Sequence, residues 1–176
     1  MDDPGLDAAR EVVRIPVVGP AQASMHLALT LADRFAIVTT LAEDVPVVRE
    51  LVERNRLEHR CASVRALGVP PLGLHDDEEA TLALFSDAAL AAVLQDGAAA
   101  IIAGCTMLSG RTEAVAARLA TAGVDVPVID PLAAALHHAL TLVRLGVSHS
   151  GVGYPAPAQK EISWPDQELR LARRAG

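Results

Sequence analysis

Apolar positions along the chain follow two alternating rhythms. Short runs at 15–18, 35–40, 98–104 and 126–129 are mostly apolar and rich in Val, Ile and Ala, as expected of buried strands, and 62–67, interrupted by Ser63 and Arg65, reads as a further strand. Between them the apolar positions take the spacing of helices. Leu6, Ala9 and Val13 share one face, as do Val45, Val48 and Val52, and as do Leu82, Phe85, Ala89 and Val93. Further helices are expected over 21–32, 111–122 and from Pro131 to the glycine at 146. Asp3, Asp44 and Asp130 precede three of these stretches as expected N-caps, with Pro4 and Pro131 at first helical positions. Gly123 and Gly146 are expected to end two of them. Residues 68–77 read as a Gly/Pro loop with an acidic end, 148–165 as an extended surface tail, and 169–174 as a short basic helix. Strands joined by helices of this length imply right-handed crossovers. The expected class is α/β, a parallel sheet with helices on both faces.

One internal repeat shapes the domain reading. Residues 15–31 align with 126–142 without a gap, pairing Pro16 with Pro127, Pro20 with Pro131 and His26 with His137. Similar strand–helix units would give such a match, and so would two related halves. The second alternative divides the chain into two pseudo-two-fold-related units, 33–125 and 1–32 plus 126–176. The latter is the incomplete one: its first helix lacks the strand that should precede it, so a longer protein is expected.

Composition narrows the function. Of 176 residues 51% are apolar, enough for a packed core, and 21% are charged. Aromatics are only 2%, so that core must be aliphatic. A net charge of −7 argues against nucleic acid, which calls for a concentrated basic face. No apolar run reaches membrane-spanning length, and the acidic start carries no leader pattern, so a cytoplasmic protein without membrane association is expected. No phosphate loop or nucleophile elbow occurs. His137 and His138 are adjacent and diverge on a helix, and the run from His75 to Glu79 reads as an acidic helix start, so no metal is expected.

Ligands of open α/β sheets bind beyond the carboxyl ends of the strands. Thr39 and Thr40 end one strand there, and Cys105 with Thr106 ends another. Cys61 begins its strand, on the opposite edge, and reads as a packed thiol. Cys105 follows a glycine and precedes an expected helix start, whose free N–H groups should lower the thiol pKa. The same groups could hold a carboxylate or enolate oxygen, which suits removal of a proton beside a carbonyl. A small buried thiol is the alternative.

The ordered set Asp3-Pro4-Gly5-Leu6, Ile15-Pro16-Val17-Val18-Gly19, Val38-Thr39-Thr40, Arg60-Cys61-Ala62-Ser63, Gly104-Cys105-Thr106 and Val126-Pro127-Val128-Ile129-Asp130 resembles the aspartate/glutamate/hydantoin racemase superfamily, most nearly its hydantoin racemase branch. The tail around Ser148, His149 and Tyr154 is also similar. The resemblance implies two pseudo-symmetric α/β halves with a small-molecule substrate between them, no cofactor, and a homo-oligomer. It implies proton transfer at the carbon alpha to a carbonyl by two cysteines on opposite faces, Cys105 being the second. It implies substrate contacts from Thr39, Thr40, Thr106, Met107, Asp3 and Pro4. The family's first cysteine would lie just before Met1, so a late-assigned start or a truncated gene is expected, with impaired activity. A one-cysteine decarboxylase of the same superfamily and a non-catalytic remnant are the alternatives.

Overall fold

The computed structural model describes residues 2–158. The expected helix at 169–174, and the tail beyond 158, lie outside them. Ten elements follow one another: α1 (Leu6–Val12), α2 (Pro20–Leu31), β1 (Phe35–Thr39), α3 (Asp44–Arg54), β2 (Cys61–Ala66), α4 (Glu78–Leu94), β3 (Ala100–Ala103), α5 (Thr112–Thr121), β4 (Val128–Ile129) and α6 (Pro131–Arg144). Short 3₁₀ turns occupy Pro71–His75 and Thr106–Leu108. The four strands form a parallel sheet in the order β2-β1-β3-β4. This is the α/β architecture that the alternating pattern implies.

Burial explains the strand sequences. Every residue of the central strands β1 and β3 is buried, because helices cover both sides. Phe35 and Ile37 of β1 and Ala100 and Ile102 of β3 face a layer built from α2, α3 and α6. Ala36 and Val38, with Ile101 and Ala103, face Phe85, Ala89 and Ala92 of α4 and Val115 and Leu119 of α5. The two phenylalanines are fully buried on opposite sides of the sheet, so each anchors one layer of an otherwise aliphatic core.

Three local expectations need correction. Residues 15–18 form no strand: Ile15 is 70% exposed and the segment joins no sheet. A strand needs a neighbour for its backbone groups, and here side chains take that place. The Val17 N–H donates to Nε2 of His149 (2.6 Å), and the Val17 carbonyl accepts from Nε of Arg10 (3.2 Å). Asp3 caps α2 rather than α1, its two oxygens accepting from the Ala21 and Gln22 N–H groups. α1 starts instead after Gly5, whose φ of +70° suits glycine. Asp44 lies inside α3, behind Glu43 at the N-cap, and turns back toward the end of β1.

The tail folds back on the chain's beginning. After Gly146 (φ +65°) ends α6, Ser148 donates to the Arg14 carbonyl, and the Tyr154 hydroxyl accepts from the buried Arg10 guanidinium. The Arg10 guanidinium also lies 5.4 Å from the Tyr154 ring centroid.

Candidate active site

The carboxyl ends of β1 and β3 bring the first candidates side by side. β3 continues through Gly104, whose N–H donates to the Val38 carbonyl at 2.7 Å. A Cβ at 104 would stand 2.7 Å from Cγ2 of Ile37 and 2.9 Å from that carbonyl oxygen. Only glycine allows this approach, and the next residue is Cys105, half-buried.

The turn after Cys105 is tight. The Leu108 N–H donates to the Cys105 carbonyl (2.9 Å), and the Leu108 side chain is fully buried as the turn's anchor. Among the described residues no hydrogen bond engages the N–H groups of Cys105, Thr106 or Met107. The helix expected directly after the thiol is a three-residue 3₁₀ turn, and α5 starts only at Thr112. The helix N-terminus expected beside the thiol is therefore replaced by the short turn, and the free N–H groups next to Cys105 belong to that turn. Ser109 and Gly110 close the turn onto Asp130, whose carboxylate also caps α6 through the Leu132 and Ala133 N–H groups. Burial alone would raise the Asp130 pKa. The bonds from Gly110, Ala133, Ser109 and Leu132 outweigh it and hold the carboxyl below the ordinary aspartate value.

The threonines at the end of β1 are almost completely buried. The Thr40 hydroxyl donates to Oδ2 of Asp44 (2.9 Å), so its proton is committed within the protein and its oxygen keeps only acceptor capacity. The Thr40 carbonyl accepts from Gly68 and Val69, which fixes the start of the 68–77 loop. The Thr39 hydroxyl is buried with no partner among the described residues.

A cavity of about 340 Å³ lies between residues 2–9, residues 17–20 and Thr106. It gathers three sequence candidates, Asp3, Pro4 and Thr106; Cys105, Thr39, Thr40 and Met107 do not line it. Asp3 enters with both oxygens engaged by the α2 cap, so it shapes the wall.

Cys61 is elsewhere. It pairs in register with Phe35, as Ala100 does, whereas Cys105 lies five residues beyond Ala100 on β3's side. At roughly 3.3 Å per residue and 4.8 Å per strand, the two Cα positions are roughly 19 Å apart. Burial pushes the Cys61 thiol up to about 11, against the lowering charges of Arg49 and Arg34, and it donates to the Ser63 carbonyl. It is a packed, protonated thiol.

The histidines set aside in the sequence stay on helix surfaces: His26, His137 and His138 are exposed along the groove between α2 and α6. Among the described residues no group of three or more His, Cys, Asp or Glu is arranged to hold a metal ion, and no helix is long and apolar enough to cross a membrane.

The sequence profile described as Asp/Glu/Hydantoin racemase matches residues 1–139. The chain belongs to this racemase family. Among curated relatives, it is 40% identical over 151 residues to a hydantoin racemase of Rhizobium meliloti, covering 86% of the chain and 61% of the relative. It is 38% identical over 160 residues to a hydantoin racemase of Paenarthrobacter aurescens, covering 90% and 66%. The crystal structure of allantoin racemase from Pseudomonas fluorescens superposes with a TM-score of 0.84 at 33% identity, covering 90% of this chain and 66% of that one. The chain thus spans just over six tenths of the length of the first of these racemases.

Several groups at this candidate site have no signature in the sequence. Arg111 is there only a helix start, yet it is buried and bonds to the Met107 carbonyl. Asp44 and Asp130 are there only caps. Asp130 and Arg111 also bond to residues twenty or more positions away, which no local pattern marks; the Asp44 bonds to Thr40 and Leu41 are local, and a cap pattern hides them.

Proposed function

We propose that the chain acts on 5-substituted hydantoins and related amino-acid derivatives, inverting the carbon next to a carbonyl, with Cys105 as the group that moves the proton. The observation that carries this reading is the placement of Cys105 at the carboxyl end of β3, in a turn with three unengaged N–H groups, beside a cavity that Thr106 lines. A thiolate at this position removes the proton from carbon. The electron pair moves onto the neighbouring carbonyl oxygen, and N–H groups of the turn stabilise that enolate. Return of a proton to the opposite face, supplied by water where no side-chain acid stands there, completes inversion, and Cys105 as thiol serves the reverse direction. The adjacent carbonyl supplies the carbon's acidity, so the proposed step uses no cofactor. Hydantoin and allantoin racemases are the chain's relatives, and allantoin is itself a hydantoin bearing a ureido group at the reacting carbon, which supports this substrate class.

Net inversion needs an acid on the second face. Cys61 is too distant and too weakly acidic to be that group. Two measurements therefore separate the half-reactions: exchange of the substrate's alpha hydrogen with deuterated water, which one thiol can catalyse, and loss of optical rotation, which needs both faces. Cys105→Ser is expected to lower exchange by about 10²–10⁴-fold while thermal unfolding stays within a few degrees. Undiminished exchange in Cys105→Ser would falsify the assignment. A second reading rests on the same single thiol: protonation of the carbanion left when a substituted malonate loses carbon dioxide. Carbon dioxide release by the wild-type chain without hydantoin exchange would favour it.

A further inference from the structure

One charged side chain links the thiol turn to the loop that leaves β2. Arg111 is 6% exposed, at the N-cap of α5. Its Nη1 donates to the Met107 carbonyl at 2.6 Å, two residues past Cys105. Its Nη2 reaches the Leu74 carbonyl (3.2 Å), Nδ1 of His75 (3.1 Å) and Oε2 of Glu78 (2.6 Å). Leu74 is fully buried, and its carbonyl also accepts from the Thr81 hydroxyl. The other end of the same loop is tied to the Thr40 carbonyl through Gly68 and Val69. The 68–77 loop is therefore fastened at one end to the tip of β1 and at the other, through Arg111, to the turn that carries the sulfur.

A buried guanidinium is a costly way to fill space. Taking a guanidinium out of water is expensive, its carboxylate partner Glu78 is itself largely exposed, and Nε of Arg111 is buried without a partner among the described residues. What an apolar side chain could not do is hold two carbonyls from separate loops with a planar fork of fixed geometry. We propose that Arg111 is a positioning residue: it locks the Cys105 turn and the 68–77 loop into one unit, fixing where the sulfur stands relative to bound substrate. This rests on Cys105 being the group that moves the proton. It assigns Arg111 no contact with substrate.

The test uses Arg111→Met, Arg111→Ala and Glu78→Gln, each in the full chain and with Cys61→Ser so that only Cys105 reports. Two quantities are measured: alpha-hydrogen exchange on a hydantoin, resolved into kcat and KM, and the rate of Cys105 alkylation by iodoacetamide across pH. Arg111→Met is expected to lower kcat about 10–100-fold, as small misplacements do, with KM within about three-fold. The alkylation profile is expected to change several-fold in rate. Added guanidinium ion, below denaturing concentration, is expected to recover part of kcat in Arg111→Ala and none in wild type, a response that loss of folded protein would not give. Glu78→Gln keeps both carbonyl bonds and is expected to stay near wild type. Arg111 variants with unchanged kcat and alkylation, or with kcat reduced only in proportion to folded fraction and no guanidinium recovery, would overturn the inference. Should the wild-type chain show no exchange at all, the functional reading fails, and alkylation still decides whether Arg111 places the sulfur.

Discussion

Residues 15–31 and 126–142 begin their helices with almost the same backbone and different chemistry. Gly19 (φ −85°, ψ 132°) and Asp130 (φ −82°, ψ 121°) are equivalent N-caps, each followed by proline at the first helical position. Asp130 supplies its own carboxylate, which four hydrogen bonds engage, two of them from the Cys105 turn. Gly19 has no side chain, and Asp3 reaches across from sixteen residues earlier to make the cap, close enough that a Cβ on Gly19 would lie 2.2 Å from Asp3 Oδ2. The preceding segments differ as well: 128–129 pair with β3, while 15–18 give their backbone groups to Arg10 and His149. The difference teaches that a helix cap can be met by a remote residue as well as by the local one. Where it is remote, the cap also fastens the segment that delivers it, here residues 2–5 along the cavity wall.

The largest expected effect comes from removing the local cap. Asp130→Ala should lower stability by about 3 kcal/mol, read by thermal unfolding, and should loosen the Cys105 turn. Because its bonds hold the folded carboxyl below the ordinary aspartate value, this contribution is complete above that value. It is lost as pH falls through the lower, folded one. The wild-type minus Asp130→Ala difference in unfolding temperature should therefore shrink on acidification; a difference constant with pH would contradict a carboxylate origin for the stabilisation.

A swap sharpens the comparison. Gly19→Asp alone should destabilise by about 1–2 kcal/mol, since it forces a second carboxylate against Asp3. Asp3→Ala alone should cost about 1 kcal/mol. Together the two place at the start of α2 the local cap that α6 has, and the double variant should recover to within about 0.5 kcal/mol of wild type, a coupling measurable in a double-mutant cycle. Additive losses would show that the two N-termini are not equivalent.

The smallest effect concerns the clasp that stands in for strand pairing at residues 15–18. His149 accepts from the Val17 N–H, and burial together with the Arg10 charge lowers its pKa from the ordinary 6.5. The groups facing it are Arg10 and Tyr154, and the tail's Gly151 lies beside Arg14. Since the folded value is the lower one, the clasp is complete above 6.5 and weakens as pH falls toward the folded value. Protection of the Val17 amide, its exchange rate taken relative to the intrinsic rate at each pH, should fall a few-fold across that window, and His149→Gln should remove the dependence.

Most elements are legible in the sequence because their apolar periods are long and unbroken. Phe85, Ala89 and Val93 mark α4, and the all-buried β1 and β3 read as continuous apolar runs. Residues 15–18 mislead because Ile-Pro-Val-Val has a strand's composition, and composition does not say whether a neighbouring strand exists. Asp3 and Asp44 mislead for a related reason: a carboxylate near a helix start satisfies the local pattern, and only the folded chain shows which N–H groups it meets. Strand-end logic puts Cys105 at the carboxyl edge of the sheet and Cys61 at the start of its strand, where the structure has them. Arg111, bonded to Met107 but also to residues more than thirty positions away, has no local signature.

Gly104 carries one further consequence. With a strand backbone and an isoleucine branch pressed against the position where a methyl would grow, random mutagenesis there should return glycine alone among well-folded variants, whatever is selected elsewhere. Variation that retunes preference among ligands would then have to arise in the flanking loops, because the main chain leading into the sulfur leaves no atom to alter.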